Sequence, residues 1–160
     1  NEEKAIAQLE AGREAFHAGN YAEAQKLAEQ AIATFPEDVN AHQFRNLALF
    51  AQKKYRESAA GTYAVLAGGP GWNDKTLMSF YPDRKTYDAQ LADLKHYAKQ
   101  DPKSADGQFL LAYHDLVGGH RDAARAELEH VAKLEPKDQL TSELIKALSV
   151  EPKAEEKKAS

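Results

Sequence analysis

Six histidines, 25 acidic residues and no cysteine are the material from which this 160-residue chain could build a reaction centre. The absence of cysteine removes disulfides, zinc–thiolate sites and thiol nucleophiles together. His17, His42, His96, His114, His120 and His130 fall in no HExxH or comparable ligand spacing. The nearest approach to a cluster is His114, Asp115 and His120. The first two are neighbours on a predicted helix and so point about 100° apart, while His120 falls in the turn after Gly118 and Gly119. No metal site is expected there. No glycine-rich phosphate loop, nucleophile elbow or Ser/His/Asp pattern occurs, and Glu127 and Glu129 read as a solvated helix face. The expectation is a non-enzymatic protein with neither cofactor nor metal.

Composition narrows the class. A hydrophobic fraction of 42% and a charged fraction of 29%, rich in Ala and poor in β-branched residues, belong to a folded helical chain of one domain or one short repeat array. The net charge of -4 supplies no basic surface of the kind that phosphate-backbone binding needs, so nucleic acid is not an expected partner. No apolar run approaches the ~20 residues of a membrane span, so no membrane insertion is expected. The absence of cysteine is compatible with either redox compartment. The compartment is left open by the sequence: a soluble chain is expected, cytoplasmic or, if an export signal has been removed, periplasmic.

The elements follow from a 34-residue internal period. Residues 5–38 place Tyr21, Ala24, Ala28, Ala31 and Pro36 at offsets that return at Tyr55, Ser58, Val65 and Pro70, and again, in residues 105–138, at Arg121, Ala124, Leu128, Val131 and Pro136. Between them a degenerate unit aligns Tyr87, Leu94, Tyr97 and Pro102. Each unit reads as two helices around a turn. In the first, Ile6, Leu9 and Phe16 share one helical face, Gly19 breaks it, and Tyr21, Ala24, Leu27, Ala28, Ala31 and Phe35 share the next. Gly12, Ala24 and Ala31 are where the two helices would approach closely, and proline ends each second helix.

The third unit departs from this pattern. Gly68, Gly69, Pro70 and Gly71 form a breaker run where a first helix should begin. Asn73 or Asp74 should cap a short helix with Leu77, Met78, Phe80 and Tyr81 on its apolar side, ended by Pro82. Asp83 or Thr86 should cap a second helix running to Gln100 through Tyr87, Leu91, Leu94 and Tyr97. The short segment carries the only Trp, Trp72, and its aromatics either fill core or shape a pocket beside the inner groove. Leu140, Leu144, Ile145 and Leu148 then mark a terminal capping helix at 139–149, followed by a charged tail at 151–160 that is expected to be disordered.

These units resemble tetratricopeptide repeats over about residues 5–138, with residues 5–38 and 105–138 the best matches. Asn46 and Ser58 replace the usual small apolar pair in the second unit, and Gln90 and Tyr97 replace alanine-like residues in the third, so looser packing is expected there. The resemblance implies an all-α, right-handed superhelical array of helix hairpins, whose units are 5–38, 39–70, 71–104 and 105–138, closed by the capping helix. It further implies that the first helix of each unit lines a concave groove. Groove candidates are then Leu9, Arg13, Phe16 and His17 of the first unit, Gln43, Leu47 and Phe50 of the second, Trp72 of the third, and Phe109, Tyr113 and Leu116 of the fourth.

Such a stripe, if it faced solvent, would suit a protein or peptide partner; alternatively neighbouring hairpins, the terminal helix or a second copy cover it. The family's clamp for acidic chaperone C-termini needs a set of Lys, Asn and Arg, but Leu9, Arg13 and Phe44 stand at the matching places. An amphipathic helix with spaced apolar anchors fits better. The expected role is therefore an adaptor or scaffold that binds a peptide or partner protein in the groove. The alternatives are a self-associating homo-oligomeric assembly subunit and a small-ligand binding module.

Overall fold

The computed structural model describes residues 1–150, and the tail expected to be disordered lies outside them. Among the described residues the chain is all helical: α1 (Glu2–His17), α2 (Tyr21–Thr34), α3 (Val39–Ala51), α4 (Tyr55–Gly68), α5 (Asp74–Met78), α6 (Arg84–Gln100), α7 (Ala105–Val117), α8 (Arg121–Leu134) and α9 (Gln139–Ser149). The helices pack in consecutive pairs, α1 on α2, α3 on α4 and α7 on α8, and the pairs stack through α2 on α3 and α8 on α9. This is an all-α helical repeat array.

Local chemistry explains the boundaries. Asn1, Asp38, Asn73, Asp83 and Ser104 each accept a backbone N–H of the first turn of α1, α3, α5, α6 and α7, satisfying a donor that the helix leaves open. The turns inside three hairpins are copies of one another. The amides of Asn20, Lys54 and His120 donate to the carbonyls of Ala15, Leu49 and Asp115 respectively, five residues back in each case. The residue before each of those amides lies in the left-handed region, with φ of 87° at Gly19, 63° at Lys53 and 79° at Gly119. Glycine suits that backbone; Lys53 adopts it at a steric cost.

The third unit breaks the stack. It keeps the ordinary exit into the next helix, because Ser104 N–H donates to the Asp101 carbonyl just as Asp38 donates to Phe35 and Asp138 to Glu135. Its first helix is reduced to the five residues of α5. With no full-length helix to lie beside α4, α7 takes that place and packs directly on α4. The α5–α6 arm is left to lie across α1, α3 and α7.

That arm builds the main core. Phe80 and Tyr81 meet Phe16 of α1 at ring-centroid distances of 6.4 Å and 5.0 Å, and Phe80 stacks on Phe44 of α3 at 5.2 Å. Tyr87 of α6 lies 6.2 Å from the Phe50 ring. Its hydroxyl hydrogen-bonds His114 Nδ1 of α7 at 2.8 Å. Tyr97 stands 4.7 Å from Tyr55 of α4. Leu77, Leu91, Leu94, Leu110 and Leu111 complete the same buried cluster.

Tight approaches are met by missing side-chain atoms. A Cβ on Gly12 would come within 2.8 Å of Phe44 Cε2 and 3.4 Å of Leu27 Cβ, so this glycine admits both α2 and α3. In the second hairpin the polar pair is accommodated rather than loosely packed. Ser58 Oγ donates to the Asn46 carbonyl at 2.8 Å in a buried position, and the Asn46 side chain occupies the space where a Cβ on Gly61 would stand, 1.9 Å from Asn46 Oδ1.

Candidate functional site

The groove candidates separate into two groups. Phe16, Gln43, Leu47, Phe50 and Phe109 are buried, between 0% and 7% exposed. Tyr113 and Leu116 are half-buried and His17 is exposed on the far end of α1. Of the two arrangements left open by the sequence, the five buried residues have the covered one. Phe16, Leu47 and Phe50 belong to the cluster that α5 and α6 close, and Phe109 belongs to the cluster under α9, where it touches Tyr63 at 5.4 Å. Gln43 is held from within, its Oε1 accepting the Trp72 backbone N–H at 2.8 Å. Periodicity could mark these positions as inward-facing; it could not say that the chain's own third unit would occupy the groove.

Leu9, Arg13 and Trp72 come together in one cleft. They line a cleft of about 290 Å³ with Ile6 and Glu10 of α1, Asp38, Asn40 and Phe44 at the start of α3, and Thr76 and Phe80 from α5 and its exit. Trp72 stacks on Phe80 at 4.8 Å with 25° between planes, and its indole Nε1–H donates to Asn40 Oδ1 at 3.1 Å. The Arg13 guanidinium lies 4.2 Å from the Phe80 ring centroid and donates to Ser79 Oγ at 3.2 Å. An aromatic platform is thus immobilised between a cation and an amide, and Ile6 stands at its rim 52% exposed. Aromatic faces whose polar edges are already satisfied present contact area that loses little entropy on binding.

Two larger clefts flank α4. One, of about 550 Å³, runs from Pro36 and Val39 to Gly68 and Pro70; the other, of about 560 Å³, lies between Ala59, Ala60 and Tyr63 on one side and Phe109, Val131 and Asp138 on the other. Their α4 walls are mostly Ala and Gly, and Tyr63 is tied by its hydroxyl to Asp138. Tyr63, 37% exposed and packed on Phe109, is the aromatic of the second cleft, and exposed Val39 stands in the first; neither cleft contains a predicted groove residue that is open to solvent.

His114, Asp115 and His120 stand in different environments. His114 is fully buried, stacked on Phe50 at 4.1 Å, and burial holds its pKa down at about 3, so it is a neutral core group. His120 Nδ1 approaches Asp115 Oδ1 at 3.4 Å. Glu127, expected on a solvated face, is instead half-buried, and its Oε1 is sealed from water without a hydrogen-bond partner. Burial first, then the neighbouring Asp115 carboxyl, push the Glu127 pKa up to about 9, with Lys95 opposing. Glu129 does lie on the surface, paired with Arg125 at 3.0 Å. Among the described residues, no group of three or more His, Asp or Glu side chains is placed to hold a metal.

No helix among the described residues is long and apolar enough to cross a membrane. The chain matches no protein-family model and no curated protein.

Proposed function

We propose that this chain is a tetratricopeptide-like partner-binding module that receives an amphipathic helical segment of another protein in the Trp72 cleft. The observation that carries this is half-buried Trp72, fixed against buried Phe80 and by Asn40, gathered in one cleft with the predicted groove residues Leu9 and Arg13 and with exposed Ile6. An apolar anchor laid on the platform would cover Trp72 and Ile6, while Glu10, Asp38 and Arg13 would meet polar side chains at the edge. The buried length of the groove contributes rigidity, not contact.

Because Trp72 is the only tryptophan, its fluorescence reports the cleft directly. Peptides selected from a helical display library on the wild-type chain should shift or quench Trp72 emission on titration. Their affinity should fall at least about tenfold in Ile6→Glu, which places a charge against the apolar anchor at an exposed position and leaves folding intact. Selected peptides that bind Ile6→Glu as tightly as wild type, with no Trp72 response, would move the binding surface elsewhere.

A further inference from the structure

Asn46 and Ser58, which stand where a small apolar pair is usual, have no part in partner binding. With Gln43 of α3, Thr62 of α4, and Tyr113 and His114 of α7, they line a small cavity at the junction where α7 packs on α4. Gln43, Asn46, Ser58, Thr62 and His114 are each no more than 7% exposed, so bulk water does not serve them, and buried polar groups need partners. Protein hydrogen bonds meet only part of that need. Ser58 Oγ donates to the Asn46 carbonyl at 2.8 Å. Gln43 Oε1 accepts the Trp72 backbone N–H at 2.8 Å, which orients the amide and leaves Nε2 as its donor. His114 Nδ1 is engaged by the Tyr87 hydroxyl at 2.8 Å, which leaves Nε2. Among the described residues the Thr62 hydroxyl and the Tyr113 phenol have no hydrogen-bond partner, and burial keeps that phenol protonated by pushing its pKa up to about 12. Glu127 Oε1 is the side-chain atom among the described residues that is both unpartnered and sealed from water, so the groups around this cavity reach open space rather than packed atoms.

We propose that this cavity is a binding site for one structural water that bridges α3, α4 and α7. Its size, about 10 Å³, is that of a single water, and a buried water makes about three hydrogen bonds. Gln43 Nε2 supplies one from α3, the Thr62 hydroxyl one from α4, and Tyr113 or His114 one from α7. The polar residues of the second hairpin thereby gain a role. Apolar packing would hold α7 against α4 without fixing its orientation, whereas directed hydrogen bonds through one water fix it. The same water holds the Gln43 amide whose oxygen receives the Trp72 backbone N–H.

Two measurements on the whole chain test this. In wild type, a crystal structure should show one ordered water within hydrogen-bond reach of Gln43, Thr62 and α7, and the methyl groups of Leu47, which also lines the cavity, should give an NMR cross-peak to water with the sign of a long-lived bound molecule. Thr62→Val keeps the shape of the side chain and removes its hydroxyl. Its unfolding constant in urea should rise about three- to tenfold, the effect of deleting one partner from a satisfied buried hydrogen bond. A dry cavity predicts the opposite sign, because removing an unsatisfied hydroxyl leaves the unfolding constant unchanged or lowers it. A cavity without water in the crystal together with no Leu47 cross-peak, or Thr62→Val as stable as wild type, would overturn the bridge; should Thr62→Val fail to fold, the wild-type measurements alone decide.

Discussion

Gly61 and Asn46 show how a single pair of positions sets the spacing of two helices. The usual arrangement puts a small side chain on both α3 and α4; here Asn46 is large, and Gly61 gives up its side chain to make room. Gly61→Ala drives a methyl group toward Asn46 Oδ1 and should destabilise the fold by about 1–3 kcal/mol, as overpacking a close contact does. Asn46→Ala in the same chain removes the obstacle and should recover most of that loss. The two substitutions are in contact, so additivity is not expected, and the coupling measured by urea unfolding of both singles and the double variant checks the account. Equal losses in the single and double variants would show that the strain lies elsewhere.

Among the elements, the α5–α6 arm matters most because it does the work of a ligand and of a core at once. Phe80 is its main contact, touching Phe16, Phe44, Trp72 and Arg13 from a position only 7% exposed. Phe80→Ala should cost about 3–5 kcal/mol, the range for deleting a buried aromatic ring. It should also free Trp72, which loses its stacking partner, so the emission should shift to the red in the still-folded fraction. Circular dichroism gives the stability and fluorescence gives the local change. A large stability loss with unchanged Trp72 emission would mean that the arm holds its place without Phe80.

For the whole molecule, the arm ties the array together. A linear stack of hairpins unfolds in pieces because each contacts only its neighbours. Here one segment bridges α1, α3, α4 and α7, so unfolding should be cooperative, with coincident transitions by Trp72 fluorescence and far-UV circular dichroism. The pH dependence should also be global. His114 is kept neutral by burial with a pKa of about 3, below its ordinary 6.5, so the unfolded chain takes up a proton that the folded chain refuses. Stability from this group is full above pH 6.5 and falls as pH drops toward 3. Glu127 acts in the opposite direction, losing stability as pH rises from its ordinary 4.5 toward about 9. The two effects oppose each other between pH 4.5 and 6.5. The melting temperature should therefore show a broad maximum in that window and fall on both sides. Below pH 4.5, Glu29 adds to the loss, since its hydrogen bond from Arg45 holds its carboxyl below the ordinary range. A melting temperature that rises steadily from pH 6 to 9 would contradict the assignment of Glu127, and one that does not fall as pH drops from 4.5 toward 3 would contradict that of His114.

Much of this architecture is local and was legible in the residues themselves. The period of 34 residues, the caps at Asn73 and Asp83, the short helix ended before Pro82 and the run of α6 to Gln100 each depend on side chains bonding to their own backbone, or on apolar spacing within one helix. The inward direction of Phe16, Leu47, Phe50 and Phe109 was what the resemblance to tetratricopeptide repeats implied. What lay against them was not. A helical face shows the same periodicity whether it meets a partner, solvent or another part of the chain. That α7 would close onto α4, that the arm would cover the apolar faces of α1 and α3, and that Glu127 Oε1 would be sealed from water are outcomes of long-range packing. The free energy of burying those aromatics, summed over several helices, selects one arrangement, and no local pattern encodes that sum. Sequence alone determined the helices and their turns; the tertiary structure decided which face remains open to another molecule.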